Sequence, residues 1–257
     1  MGVGGFVAVF IAVNLFIVVV ALASDAGFEP DDVGNVLEKA NTVARYADER
    51  LAAAATGQEL PEPPRILADQ GSLQLGMIAT LVSQGMLFAV VGIASQQNFR
   101  GLVEALGLNR FSFGRVWIVA GMVLLAYVMT FLYVKLADAT GISWLEPNST
   151  VPTAITRNDL TLSIAAVVTV IGAPISEELF FRGLVFSGLL RWGFWPAAGI
   201  SGLMFSMVHF DPGSVVPFFI IAVTMAWLYW RRGSLWDAIV FHFIFNALSF
   251  SVLVATS

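Results

Sequence analysis

IGAPISEELFFRGLVF, residues 171–186, sets two adjacent carboxylates, Glu177 and Glu178, and one guanidinium, Arg182, inside an otherwise apolar stretch. An ionisable side chain at membrane depth costs roughly 2.5–3.5 kcal/mol even on insertion scales, so such residues normally face a protein interior and serve a pathway or a reaction. Further along, the only two histidines, His209 and His242, fall in the next two polar interruptions of the same hydrophobic region. Asn246 follows His242 by about one helical turn. This grouping reads as an active site inside a membrane.

The rest of the chain supplies that setting. Of its 257 residues 58% are hydrophobic and only 12% charged, too apolar a balance for a soluble domain. Crossing a ~30 Å hydrocarbon core takes about 20 apolar residues. Uncharged runs on that scale occur at 3–23, 73–99, 116–133, 160–176, 214–230 and 238–256. The expected fold is all-α, a polytopic transmembrane helix bundle of seven or eight spans. The count turns on 160–190, which as one straight helix would run about 46 Å at 1.5 Å per residue. Gly172 and Pro174 permit a kink or a break there, making 160–173 and 177–192 separate elements.

Cysteine is absent, which removes disulfides, thiolate metal sites and cysteine nucleophiles together. The net charge of -5 comes largely from residues 24–70, with ten acids and four bases, and so describes a loop. No basic cluster argues for a nucleic-acid partner. Within that loop Val33, Val36, Leu37, Ala40, Val43 and Ala44 recur at helical spacing before Pro61-Glu62-Pro63-Pro64. An extramembrane amphipathic helix ended by a rigid linker fits, a solvated cap with no site of its own. Ala21-Leu22-Ala23 resembles a signal-peptide cleavage site, but the missing basic n-region and the long apolar run favour a retained first span.

Arg100, Arg110 and Arg115 separate the second and third spans, Arg191 precedes Trp192-Gly193, and Arg231-Arg232 precede Gly233. Such bases mark loops as cytoplasmic, which puts 24–70 and 137–159 outside and the N-terminus inside. The expected location is a prokaryotic cytoplasmic membrane. Two regions are expected: 1–159, N-terminal spans with the polar insertion 24–70, and 160–257, a catalytic helix bundle.

On a helix, Glu178 and Arg182 share a face and can pair, while Glu177 points about 100° away. One carboxylate is then held by a guanidinium and the other is a candidate general base toward water. The competing reading is an ion network that locks helices together. His209, just before Asp211-Pro212-Gly213, is either a helix-end residue or a proton carrier. His242 and Asn246 share a face and can donate into one cavity, as a developing oxyanion requires, or they form an interhelical polar clasp. No cofactor is expected. The alternative is zinc on Glu177, His209 and His242 with an open position, although no HExxH is present. Asn148-Ser149-Thr150 is a weak glycosylation sequon, and Gly76, Gly85 and Gly92 read as close-packing positions.

EELFFR at 177–182, FSMVH at 205–209 and HFIFN at 242–246 resemble the ordered motifs EExxxR, FxxxH and HxxxN of the CAAX-protease and bacteriocin-processing (CPBP, or ABI) family of intramembrane endopeptidases. The resemblance covers roughly 160–254. It implies a glutamate-based peptide hydrolase in which Glu177 and His209 activate water and His242 and Asn246 form the oxyanion hole. Glu178 and Arg182 would order the site, with Phe205 packing beside it. The implied partners are membrane lipids and a membrane-associated or lipid-anchored peptide or protein. The readings from other classes are a proton-coupled transporter relaying through Glu177, His209 and His242, and a catalytically idle scaffold or immunity protein.

Overall fold

A computed structural model describes residues 45, 46, 48–53, 55–59, 61 and 70–257. The first apolar run, the cleavage-site reading at 21–23 and the apolar row 33–44 lie outside the described residues. Residues 45–46, 48–53 and 55–56 are helical. The helices that follow are α1 (Gln70–Ser95), α2 (Phe99–Ala105), α3 (Val116–Thr140), α4 (Asp159–Trp192), α5 (Phe194–Met207), α6 (Val215–Arg232) and α7 (Leu235–Thr256). Among the described residues there is no strand, and five helices of 21 to 34 residues are long and apolar enough to cross a membrane. These are α1, α3, α4, α6 with its preceding turn, and α7. The chain is a polytopic all-α membrane protein. Helix α5 has 14 residues and so rises only about 21 Å, short of a ~30 Å core.

Contacts between loops define two ends of the bundle. At one end Leu235 N–H donates to the Leu106 carbonyl at 2.9 Å, Trp236 Nε1 to Leu108 at 2.7 Å and Ser234 Oγ to Gly107 at 3.0 Å. The Phe194 and Trp230 rings meet 4.9 Å apart at this same end. It carries all three arginine loops and six of the seven tryptophans, residues 117, 192, 195, 227, 230 and 236. At the other end Gln70 Nε2 donates to the Ala154 carbonyl at 2.8 Å, Tyr133 OH to Leu145 at 3.0 Å, and Asn148 N–H to Asp211 at 3.0 Å.

Helix α4 is continuous, so the break allowed for at Gly172 and Pro174 does not occur: Gly172 has right-handed helical φ,ψ of -64°, -50°. Two π-helical stretches, Val167–Gly172 and Leu179–Phe186, flank the α-helical segment Ala173–Glu178. A π-turn shifts the hydrogen-bond register, so the chain passes Pro174, which has no N–H to give. The displaced carbonyls find side chains instead. Gln84 Nε2 of α1 donates to Val168 O at 3.1 Å and Asn246 Nδ2 of α7 to Thr169 O at 2.8 Å. In the second π-turn Ser201 Oγ donates to Phe181 O at 2.8 Å and Ser187 Oγ donates to Arg182 O at 2.9 Å.

Lipid is as apolar as leucine, so close packing rather than water exclusion holds such helices together. The α5–α6 contact accordingly uses small residues: Ala197, Ala198, Ser201 and Gly202 of α5 and Ala222 and Ala226 of α6 are all buried. Gly76, Gly85 and Gly92 are not close-packing positions, since a methyl group on any of them would meet nothing within 4 Å. The tight glycines lie elsewhere. Gly172 abuts Gln84 Oε1, a Cβ on Gly183 would stand 3.1 Å from Leu106, and Gly213 is pressed against the Glu146 carbonyl.

Candidate active site

The three polar interruptions converge. Glu177 and Glu178 sit on α4, Phe205 and His209 at the end of α5, and His242 and Asn246 on α7. Glu178 and Arg182 are both fully buried, at 0% exposure, and they pair at 2.9 Å as their spacing predicts. The same Glu178 oxygen accepts a hydrogen bond from His242 Nδ1 at 3.0 Å. Arg182 also donates to the Ala222 carbonyl at 3.2 Å and lies 4.5 Å above the Phe205 ring. Phe205 in turn contacts His242 at 5.8 Å and His209 at 5.0 Å between centroids, so it packs amid the cluster.

The tautomers follow from the partners. A backbone carbonyl can only accept, and His209 Nδ1 lies 2.8 Å from Phe205 O; Nδ1 therefore carries a proton, and in the neutral ring Nε2 is the nitrogen with the lone pair. The His209 ring rests between Phe205 and Phe218, the latter at 4.5 Å. His242 directs its Nδ1 proton at a carboxylate, leaving Nε2 as its other ring nitrogen.

Glu177, Phe205, His209, His242 and Asn246 all line one cavity of about 660 Å³, while Glu178 and Arg182 lie behind its wall. Its other walls come from α1 (Gln84), α3 (Tyr127), the first turns of α6 and a roof of residues 147–152. Among the described residues, Glu177 Oε2 is buried without a hydrogen-bond partner. Gln84 Oε1, Glu178 Oε2 and Arg182 Nε around it also lack partners among these residues, so polar atoms of a kind that is nearly always paired gather at this cavity. Among the described residues no three His, Cys, Asp or Glu side chains stand together closely enough to hold a metal ion.

Every lining residue lies level with Glu177 or toward the roof. From α4 the cavity takes residues 168, 169, 173 and 177, and from α7 it takes 242, 245, 246, 249, 250 and 253. Toward the arginine loops the cluster is closed by Phe180, Phe181, Met225, Ala238 and Phe241, each at most 2% exposed. The cavity thus lies on the side of the cluster away from those loops, beneath the roof.

Several site residues had no sequence signal. Gln84 lies in an uncharged run that reads only as a span. Asp211 reads as part of a turn, yet it binds the roof. Arg50, in the segment 24–70 that reads as a solvated cap, reaches Asp211 at 2.8 Å, two residues past His209.

The all-α membrane bundle thus sets a buried Glu–Arg–His cluster beside a mainly apolar cavity. Within it, residues 159–248 match the model of the Rce1-like family, described as type II CAAX prenyl endopeptidase Rce1-like. A protein of Bacillus subtilis (strain 168) named "Putative membrane peptidase YdiL" is 33% identical over 81 residues, 31% of this chain and 33% of that protein. The chain spans about one third of the length of that relative in the match. No solved structure matches.

Proposed function

We propose that the chain is an intramembrane endopeptidase that hydrolyses a peptide bond in a membrane-associated or lipid-anchored substrate. The observation that carries this reading is that Glu177, with its Oε2 free of any hydrogen-bond partner among the described residues, shares one cavity with His209, His242 and Asn246 inside the Rce1-like segment. Glu177 takes a proton from water, with His209 Nε2 as a second acceptor on the same water, and the hydroxide adds to the substrate carbonyl carbon. The resulting oxyanion meets Asn246 and His242. Asn246 has one N–H spent on Thr169 O and one left to donate. His242 donates from Nε2 only when both ring nitrogens carry protons, and the Glu178 carboxylate offsets that charge. The proton held by Glu177 or His209 passes to the leaving nitrogen as the C–N bond breaks, giving a carboxylate and an amine.

Glu178 and Arg182 order the site from behind. The region 160–257 supplies the chemistry, and the spans before it supply Gln84, Tyr127 and the roof. A transporter of the broken-helix kind would need discontinuous spans around the site, whereas α4 is continuous. The reading is tested with purified full-length protein in lipid vesicles and quenched fluorescent peptides carrying an acyl or prenyl anchor. Hydrolysis by wild type and none by Glu177→Ala is the expected result; equal hydrolysis by both would remove Glu177 from the mechanism.

A further inference from the structure

We infer that Asp211 is a positioning residue, a buried clasp that fastens the cavity roof and the Arg50 helix to the turn carrying His209; its catalytic consequence rests on the reading of His209 given above. The Asp211 carboxylate is only 5% exposed and takes four donors. Arg50 Nη2 at 2.8 Å and Asn148 Nδ2 at 3.3 Å donate to Oδ1; Asn148 N–H at 3.0 Å and Ser214 Oγ at 2.5 Å donate to Oδ2. A buried carboxylate persists only when its lone pairs are met this fully. What it joins is specific to the cavity, since residues 147–152 and Ser214 line it.

Two further observations place mechanical demand on this turn. Phe210, between His209 and Asp211, is a non-glycine residue at φ 52°, a left-handed conformation that persists only where surrounding contacts hold it. Gly213 is packed so tightly on the Glu146 carbonyl and Pro147 N that no Cβ would fit. The Ser214 bond closes the α5–α6 turn, and that turn sets the separation of Phe205 on α5 from Phe218 on α6. The His209 ring sits between those two rings. Loosening the clasp therefore widens the roof and shifts His209 Nε2 together, with Arg50 as the arm that lets the segment before α1 bear on the site.

The chain has no cysteine, so Ala173→Cys places a single thiol in the cavity wall. Reaction of that thiol with a bulky maleimide, in full-length protein in lipid vesicles, reads the width of the entrance without any turnover. Arg50→Ala should speed labelling about two- to fivefold, the range expected of a partly exposed ion pair, and Arg50→Lys should restore it. Asp211→Asn should speed it more, and on the background without the added thiol it should lower kcat per folded molecule by ~10²-fold, as a small misplacement of a reacting group does. Unchanged labelling in both Arg50→Ala and Asp211→Asn would overturn the clasp. So would a fall in folded fraction with kcat per folded molecule unchanged, which is the mark of a purely structural bond. A wild type that hydrolyses nothing, while the thiol of Ala173→Cys still responds to Arg50→Ala, would sink the peptidase reading and leave the clasp standing.

Discussion

His242 donates its Nδ1 proton to the same Glu178 oxygen that pairs with Arg182, at 3.0 and 2.9 Å. One buried carboxylate thus orients the histidine and neutralises the guanidinium, while its neighbour Glu177 faces the cavity. The two adjacent glutamates should therefore fail differently. Glu178→Gln leaves the buried Arg182 guanidinium without the counter-charge that neutralises it, and breaking a buried pair in this way costs about 3–5 kcal/mol. A large drop in the melting temperature in detergent is expected for Glu178→Gln and almost none for Glu177→Ala. Equal melting temperatures for the two variants would contradict the division of roles.

Much of this division is legible in the sequence because it is local. The four-residue spacing of Glu178 and Arg182 puts them on one face of any helix, and the ordered polar interruptions name the side chains that meet in the cavity. What the sequence hides is non-local. Gln84 and Asn246 cap carbonyls that become free only because α4 takes π-turns around Pro174, and no residue pattern announces a π-turn. Asn246 thus caps Thr169 O, a contact that its spacing from His242 does not show. Asp211 needs Asn148 and Arg50, partners 63 and 161 residues away, to show its role. Gly76, Gly85 and Gly92 mislead because small residues in a span serve open surface as well as close contact.

His242→Ala and Asn246→Ala should each lower kcat by ~10²–10³ with little change in KM, since oxyanion donors act mainly in the transition state. The double variant should lose less than the product of the two effects, because both donors serve one oxyanion. Asn246→Ala also uncaps Thr169 O and should lower the melting temperature modestly. If activity per folded molecule is unchanged in both single variants, the pair is a helix clasp and no more.

Chelators should leave hydrolysis largely intact if Glu177 and His209 activate water directly. Loss of activity with phenanthroline, restored by added zinc, would establish the zinc alternative on Glu177, His209 and His242.

The cavity lies on the side away from the arginine loops, and short basic loops face the cytoplasm, so substrate should enter from the opposite side. In intact cells a membrane-impermeant maleimide should label Thr150→Cys on the roof and spare Gln97→Cys between α1 and α2. Both positions are exposed. The reverse labelling pattern would place the opening on the cytoplasmic side.

The measurement that bears most directly on the proposed chemistry is a mass-spectrometric comparison of membrane peptides from cells carrying wild type and cells carrying Glu177→Ala at equal abundance. A peptidase built on Glu177 should yield a set of new peptide termini in the wild-type membranes, with the uncut precursors accumulating in the variant. Identical termini in the two membranes, with both proteins folded and inserted, would contradict a hydrolytic role for Glu177.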